Sequence, residues 1–257
     1  MDITPILDDL NKKQREAVTA PPNALLILAG AGSGKTRVLT HRIAWLIDVE
    51  GLSPHNLLAV TFTNKAATEM KNRVGNLLNT SVDRLWIGTF HGLAHRLLRR
   101  HLKEAKLTQD FQIIDSGDQI QLIKKVIKNL KLDESKWLAK NVQYFINKQK
   151  DEGLRPQDLD DEGQLDQLTQ INIYGEYQEI CNHSNLVDFA ELLLKAYELL
   201  QNNSNVLQQY QKQFKYLLVD EFQDTNAIQY KWLKLLAGKK GIPFVVGDDD
   251  QSIYSWR

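Results

Sequence analysis

A glycine-rich turn near the start of the chain has the residue types and spacing for holding phosphate. The stretch Leu28–Thr36 reads LAGAGSGKT, and it follows an apolar run and precedes a helical pattern. Glycines let backbone N–H groups approach phosphate oxygens, and a helix N-terminus adds positive potential there. Lys35 would supply a charge to the β- and γ-phosphates of a nucleoside triphosphate, and Thr36 a hydroxyl to Mg²⁺. The predicted loop consists of Ala29, Gly30, Ala31, Gly32, Ser33, Gly34, Lys35 and Thr36.

A pair of neighbouring acids supplies the second half of a triphosphate site. Tyr216–Asp224 reads YLLVDEFQD, an apolar strand that ends in Asp-Glu. Asp220 would hold Mg²⁺, as in the Walker B arrangement. Glu221 is placed to orient and deprotonate an attacking water, which favours hydrolysis over transfer to a substrate hydroxyl.

The end of the chain adds a polar and aromatic segment, GDDDQSIYSWR (Gly247–Arg257). Gln251 is a candidate for sensing the γ-phosphate. Tyr254 and Trp256 are large aromatics in a loop, and bases stack on such side chains in proteins that bind single strands.

Each of these motifs also has a plain structural explanation. Ala29 stands where the phosphate motif has its first glycine, and the turn would then be a strand–helix connection that binds nothing. Asp220 and Glu221 would be two surface acids after a strand, and the aromatics would be packing. The order of strand, Lys-Thr and helix favours the phosphate interpretation.

The elements that must position these residues are short, continuously apolar runs. Such runs are typical of parallel strands covered on both faces, and ligands bind beyond the carboxyl ends of the strands in open α/β sheets. Each run is followed at once by a polar turn, so we expect one shared site edge. The five predicted strands are Ala24–Leu28, Leu57–Val60, Leu85–Ile87, Tyr216–Val219 and Phe244–Val246.

The middle of the chain has a helical texture. Asp118–Leu130 and Leu186–Leu200 place apolar residues three and four apart, and the stretches around Pro156 and Asn202–Asn205 are predicted loops. We therefore expect an α/β fold with a parallel sheet and a helical insertion between the third and fourth strands.

Composition sets few limits on function. The 257 residues carry 32 basic and 32 acidic side chains, so any nucleic-acid surface must be local. The apolar runs are too short to span a membrane, and no secretory signal is visible. The single cysteine, Cys181, excludes an internal disulfide and fits a reducing, cytoplasmic compartment. The chain stops in SIYSWR, and we expect a fragment of a longer protein.

Taken together, the order of the motifs resembles superfamily 1 DNA helicases, and specifically their UvrD/Rep/PcrA group. The similar stretches cover both ends of the chain and touch its middle, and alanine at position 29 is usual in that group. They are Leu10–Val18, Leu28–Leu46, Ala59–Val74, Gly88–His101, Gln149–Pro156, Leu186–Ala196, Leu217–Tyr230 and Val245–Arg257.

The resemblance implies roles for individual residues. Gln14 would bond to the adenine edge of ATP, Arg37 would touch phosphate, and Gln251 would couple the γ-phosphate to the DNA. Other residues would contact single-stranded DNA, with the aromatic ones stacking on bases. These implied DNA contacts are Thr61, Phe62, Thr63, Asn64, Thr89, His91, Phe189, Tyr254, Trp256 and Arg257.

The resemblance also implies an organisation and an activity. Residues 1–92 and 215–257 would form an incomplete RecA-like P-loop motor domain, 1A, and residues 93–214 its helical insertion, 1B. The intact protein would be an ATP- and Mg²⁺-dependent 3′-to-5′ helicase of the DNA-repair type. It would act on single strands and single-strand/duplex junctions, with repair proteins as possible partners. Because the second motor domain and its arginines are missing, we expect weak nucleotide binding, very slow hydrolysis and no unwinding.

Two other classes of function stay open. One is a phosphotransferase on a P-loop fold, which Glu221 and Gln251 disfavour. The other, for this chain by itself, is a module that binds nucleotide or single strands without catalysis. The basic helix around Arg96, Arg99, Arg100 and Lys103 would meet phosphates or form a solvated face.

Overall fold

The computed structural model describes residues 4–82, 85–160 and 163–248, and its centre is a parallel sheet. The strands run in the order β1-β7-β6-β2-β3, and all four pairings are parallel. A separate two-stranded parallel pair is formed by β4 and β5. The strands are β1 (Leu25–Leu28), β2 (Leu57–Thr61), β3 (Trp86–Thr89), β4 (Gln112–Ile113), β5 (Leu186–Val187), β6 (Tyr216–Val219) and β7 (Ile242–Gly247).

The five predicted strands are confirmed, and burial on both faces is confirmed for the predicted runs Leu57–Val60, Leu85–Ile87 and Tyr216–Val219. Every residue of β2 and β6 is buried. In β1, Leu26 and Leu28 are 58% and 53% exposed, so the prediction of a strand covered on both faces is wrong there. The run LLIL gives no sign of this exposure, because the covering of each face of β1 depends on packing by distant segments.

Helices connect the strands and make up most of the remaining described residues. Three short 3₁₀ turns, Pro54–Asn56, Pro156–Asp158 and Phe222–Asp224, supplement them within the described residues. The helices are α1 (Thr4–Leu7), α2 (Lys12–Val18), α3 (Lys35–Asp48), α4 (Asn64–Leu78), α5 (Phe90–Arg100), α6 (Ser116–Asn129), α7 (Ala139–Glu152), α8 (Leu165–His183), α9 (Phe189–Asn202), α10 (Ser204–Gln213) and α11 (Ala227–Ala237).

The chain divides into two compact units. The first unit comprises Met1–Leu93, Asn203–Thr225 and Leu233–Arg257, and the second Ala94–Asn202 and Asn226–Trp232. The helix α10, which the sequence placed in the insertion, therefore groups with the first unit. The identification of these units with a motor domain and its insertion stays a prediction.

The core of the first unit lies between the sheet and its helices. Apolar side chains of α3 and α4 pack against the strands; Leu39, Ile43, Met70 and Val74 are buried. Burial of such side chains contributes about 1.5–3 kcal/mol each. This packing fixes the helices relative to the sheet and so fixes the turns at the carboxyl ends of the strands.

The second unit has its own core among α6, α7 and α8. Ile123, Ile146 and Tyr174 are buried there, together with the thiol of Cys181. The predicted helix over 186–200 starts later than expected, because Leu186 and Val187 pair with β4 instead. Asp188 ends that short strand, and its carboxylate accepts from the Glu191 N–H at 2.8 Å and so caps α9.

Candidate functional site

The strand order brings three of the predicted phosphate-site turns together. In the register of the sheet, Leu28 of β1 lies beside Gly247 of β7, and Val219 of β6 beside Val245. Since the strands are parallel, Ala29, Asp220 and Asp248 follow at the same edge. The turns that the sequence placed on separate strands therefore form one cluster.

The glycine-rich loop owes its shape to two of its glycines. Gly32 and Gly34 have φ values of 73° and 84°, in the left-handed region that other residues adopt only with strain. A Cβ on Gly34 would also lie 2.8 Å from the Gln14 amide nitrogen. Position 34 thus favours glycine for the backbone angle, and a Cβ there would also displace the end of the Gln14 side chain.

A cavity of about 570 Å³ opens beside this loop. Gln14 and Arg37, the predicted adenine and phosphate contacts, line it. The Gln14 side chain already donates to the Ser33 carbonyl at 2.9 Å and accepts from the Asn11 N–H at 3.0 Å. These bonds hold the amide against the loop. Arg37 donates to the Asp9 carbonyl at 3.2 Å.

Lys35 begins α3 and is almost fully buried. Its ammonium donates to the carbonyls of Ala29 at 2.9 Å and Gly30 at 3.3 Å, and it forms an ion pair with Asp248 at 3.2 Å. The lysine therefore has a carboxylate partner from the end of β7.

The two predicted Mg²⁺ ligands lie together. The Thr36 hydroxyl donates to an Asp220 carboxylate oxygen at 3.1 Å. Burial, and secondly the charge of Glu221, raise the pKa of Asp220 to about 6. A hydroxyl and a carboxylate at this spacing are hard oxygen donors of the kind that Mg²⁺ prefers, so the pair fits the ion.

Glu221 lines the cavity in an unusual backbone conformation. Its φ of 48° and ψ of 48° are left-handed, which is uncommon outside glycine and costs about 1–3 kcal/mol. Its carboxylate accepts from the Gln223 amide at 2.7 Å, and Gln223 in turn accepts from the Asp248 N–H at 3.0 Å. A carboxylate beside the cavity and next to the Mg²⁺ pair suits a general base for water.

Three residues of this site were missed by the sequence reasoning. Gln223 and Asp248 link the acids to β7, and Arg73 of α4 lines the cavity and pairs with Glu69. Gln223 and Asp248 lie inside the quoted turns DEFQD and GDDDQ, so their position after a strand was an available signal. Arg73 is nine positions into a helix, and its place at the cavity follows only from packing.

The predicted DNA contacts cluster on the neighbouring strands of the same sheet. Thr61 of β2 and Thr89 of β3 lie side by side in the register, so the turns that follow them adjoin. Thr63 caps α4 by accepting from the Ala66 N–H at 3.1 Å, and Asn64 is the first residue of that helix. Thr61 itself is 1% exposed and donates to the Thr63 carbonyl, so its side chain supports the turn in this structure.

Two further predicted DNA contacts, Phe62 and His91, lie near the ends of β2 and β3. The Phe62 ring meets Phe90 edge to face, with centroids 5.7 Å apart. His91 follows Phe90 in α5, and burial lowers its pKa from the ordinary value, which favours the neutral imidazole.

Phe189 belongs to the second unit. It is the first residue of α9 and is 53% exposed. In the same unit, Arg99 donates to His95, to the Gln109 carbonyl and to the Phe111 carbonyl. The guanidinium of Arg99 therefore stabilises its own unit. At this residue, the structure gives less support to a phosphate contact than to a structural role.

A buried ionic cluster occupies the second unit. The Lys150 ammonium lies 2.7 Å from Asp188 and 2.8 Å from Glu191. Arg155 pairs with Glu191 at 2.9 Å and with Glu198 at 2.6 Å. Except for Glu198, these residues come from the stretches Gln149–Pro156 and Leu186–Ala196, whose roles the sequence left unassigned apart from Phe189.

The remaining predictions fall outside the described residues. These are Gln251, Tyr254, Trp256 and Arg257, all after position 248. Among the helices that the structure describes, a membrane-spanning candidate by length and hydropathy is not found.

The proteins to which this chain is similar are DNA helicases. The model of the UvrD/REP helicase N-terminal domain matches residues 10–257. DNA helicase II of Escherichia coli is 58% identical over 257 residues, which is all of this chain and 36% of that protein. DNA helicase II of Haemophilus influenzae is 56% identical over 261 residues, again 36% of its length. The ATP-dependent DNA helicase PcrA of Staphylococcus aureus is 44% identical over 254 residues and is covered to 35%. The chain thus spans about a third of the relatives it matches.

Proposed function

The chain belongs to the UvrD/REP helicase family, and from this premise we propose that it is the ATP- and DNA-binding part of a helicase motor. The intact protein would use ATP with Mg²⁺ to move along single-stranded DNA in the 3′-to-5′ sense and to separate strands at junctions. It would act in the cytoplasm in DNA repair, as the resemblance implies, with repair proteins as partners.

One observation carries this proposal, namely the division of the carboxyl edge of the sheet. The ends of β1, β6 and β7 carry the candidate phosphate loop, the candidate Mg²⁺ pair and Glu221. The adjacent ends of β2 and β3 carry six of the predicted DNA contacts, namely Thr61, Phe62, Thr63, Asn64, Thr89 and His91. The inner strand pair β6–β2 joins the two halves, with Val219 beside Val60. In this proposal, a shift at one half on ligand binding would reach the other half through this buried strand pair.

The roles within the site follow from its contacts. Lys35 and the loop N–H groups would hold the phosphates, and Thr36 with Asp220 would hold Mg²⁺, which neutralises charge on the phosphates. Glu221 would orient a water and accept its proton. The left-handed backbone at Glu221 and the Gln223 bond set the direction of that carboxylate.

By itself the chain would bind nucleotide and hydrolyse it very slowly. Arginines contributed from a second domain account for roughly 10³–10⁵ in kcat in other P-loop enzymes, and the family places them beyond this chain. A non-catalytic binding module is therefore the second candidate for this chain alone.

The experiment is a titration of this chain with a fluorescent ATP analogue and Mg²⁺, alongside Lys35→Ala and the control Lys239→Ala. Lys239 is exposed and precedes β7, at the opposite end of the sheet. We expect saturable binding that Lys35→Ala abolishes and Lys239→Ala retains. Equal binding by all three would disprove the phosphate role of the loop. Turnover that rises strongly with single-stranded DNA would disprove the expected inactivity.

A parallel titration with labelled single-stranded DNA tests the other half. Phe62→Ala should weaken binding by about 1–3 kcal/mol if a base stacks on this ring. Unchanged DNA affinity would contradict the placement of the DNA on the ends of β2 and β3.

A further inference from the structure

Phe189 is an exposed aromatic side chain between two ordered elements of the second unit. It is 53% exposed and is the first residue of α9. The two residues before Asp188, Leu186 and Val187, pair with β4, and the Ile114 N–H donates to the Val187 carbonyl at 3.0 Å. The backbone around Phe189 is therefore held by a strand on one side and by a helix on the other, and Asp188 is the link between them.

The Asp188 carboxylate joins this link to three further helices. One of its oxygens accepts from the Glu191 N–H at 2.8 Å and so caps α9. The other oxygen accepts from the Lys150 ammonium of α7 at 2.7 Å and from the Tyr177 hydroxyl of α8 at 2.7 Å. The Gln119 amide of α6 donates to the same oxygen at 3.4 Å. Asp188 is 2% exposed, so these bonds are made away from solvent.

Capping alone does not explain this network. A helix cap needs one carboxylate oxygen, which an aspartate at the surface also supplies. Replacing a buried ion pair as a whole by apolar residues is often neutral, although removing one partner is costly, so stability alone gives a weak reason for burying these charges. What the network does fix is geometry, because each donor holds Asp188 in one position relative to a different helix. The exposed side chain whose direction this sets most directly is the next residue, Phe189.

We propose that the network around Asp188 positions Phe189 for stacking on a base of single-stranded DNA. This role rests on the proposed function, since it takes Phe189 to be one of the DNA contacts. An aromatic side chain that is held in place before binding loses less conformational freedom when a base stacks on it. Asp188, Lys150 and Tyr177 would act through Phe189 and are positioning residues rather than DNA contacts.

Tyr177→Phe is the variant that tests this role, because it removes one hydrogen bond to Asp188 and leaves the ring in the core. Lys150→Met would leave buried carboxylates without their cation and put the fold of the unit at risk. Ile173→Val is the matched control. Ile173 lies one turn before Tyr177 on α8, is fully buried in the same core and has no side-chain group that can bond to Asp188. Loss of one methylene group and loss of one hydrogen bond destabilise a fold by similar amounts.

The experiment is a titration of labelled single-stranded DNA with the unmodified chain, Phe189→Ala, Tyr177→Phe and Ile173→Val. Urea titrations of all four proteins first set a temperature at which each of them is folded. We expect Phe189→Ala to weaken DNA binding about fivefold or more, because a stacked base is lost. Tyr177→Phe should weaken it about threefold, because the Phe189 side chain must then be ordered on binding. Ile173→Val should bind DNA as the unmodified chain does. An equal loss in Tyr177→Phe and Ile173→Val, or no loss in either, would overturn the proposal.

Two further readouts distinguish positioning of Phe189 from a general loosening of the unit. In the Phe189→Ala background, Tyr177→Phe should have no further effect on DNA affinity, because the aromatic ring that it positions is gone. A strand that carries abasic sites offers phosphates but no bases for stacking, so Tyr177→Phe and the unmodified chain should bind it equally. A threefold loss that persists in either measurement would contradict the role of Phe189.

The outcomes also separate this inference from the proposed function. If the unmodified chain binds DNA, Phe189→Ala binds it more weakly and Tyr177→Phe matches its control, only the positioning role is wrong. If Phe189→Ala keeps full affinity while Phe62→Ala loses affinity, the positioning role is overturned and the DNA site at the ends of β2 and β3 stands. If the unmodified chain binds no single-stranded DNA, the DNA site of the proposed function fails together with the inference.

Discussion

Replacing the buried Lys150 ammonium of the second unit tests how much the buried ion pairs contribute to the free energy of unfolding. Lys150 is fully buried, and its ammonium contacts Asp188 at 2.7 Å and Glu191 at 2.8 Å. Lys150→Met keeps the length of the side chain and removes the charge. The two buried carboxylates then lose the cation that they share. Removing one partner of a buried ion pair is strongly destabilising, because it leaves buried charge uncompensated.

The two carboxylates are affected to different degrees. Glu191 keeps Arg155 at 2.9 Å and Lys195 at 3.7 Å. Asp188 keeps only neutral donors among its described contacts, namely the Tyr177 hydroxyl, the Gln119 amide and the Glu191 N–H. Breaking a buried pair costs about 3–5 kcal/mol, and these remaining donors place our expectation near the lower end, at about 3 kcal/mol.

Cys181 offers a readout confined to the second unit. It is the single cysteine of the chain and is 1% exposed, and burial raises the pKa of its thiol to about 11. A thiol reagent at pH 8 therefore reacts when the unit opens, at a rate that tracks the open population. A loss of about 3 kcal/mol corresponds to labelling roughly a hundredfold faster.

Lys148→Met is the matched control, because Lys148 lies on the same helix with its side chain exposed. We expect the control to change stability by less than about 0.5 kcal/mol. A urea titration followed by fluorescence should give the same ranking. Labelling of Lys150→Met at the rate of the control would refute the assignment of a strongly stabilising buried ion pair.

The other predictions concern both units. Asp220→Asn should stabilise the fold by about 1–3 kcal/mol at pH 8 in a melting experiment without Mg²⁺, because a carboxyl whose pKa is raised to about 6 destabilises the fold once it ionises. An unchanged or lower melting temperature would contradict this. Gly34→Ala should abolish binding of the ATP analogue, because position 34 has a φ of 84° and a Cβ there would meet Gln14. Adding Gln14→Ala removes the contact but not the backbone strain, so it should restore only part of the affinity for the analogue. The pKa of Glu191 lies well below its usual range because Lys150 and Arg155 outweigh its burial. Its stabilising contribution is therefore present above about pH 4.3 and lost as the pH falls below that. The urea midpoint measured from pH 7 to pH 3 should fall less in Glu191→Gln than in the unmodified chain.

Local sequence was sufficient for the five strands of the main sheet and for the local placement of Lys35 and Thr36. Short apolar runs followed by polar turns indicated all five strands, because strand formation and turn chemistry depend on neighbouring residues. The spacing within LAGAGSGKT placed Lys35 and Thr36 correctly at the start of a helix. The adjacent acids of DEFQD likewise located Asp220 beside Thr36.

Local sequence failed wherever a residue's environment depended on distant parts of the chain. The exposure of Leu26 depends on which distant segments pack on that face of β1, and the run LLIL does not encode this packing. The helix expected from Leu186 began only at Phe189, because β4 offered a pairing partner.

The amino-acid sequence by itself determined which kinds of chemistry are proposed for this protein, since glycines, acids and a lysine at set spacings suit phosphate and Mg²⁺. Only the tertiary structure decided which of these groups meet. The order β1-β7-β6-β2-β3 puts phosphate and DNA candidates on adjacent strand ends, and it sets Asp248 against Lys35 across most of the chain. Long-range strand pairing and burial make those choices, because they are collective properties of the packed sheet and are not encoded in any single segment.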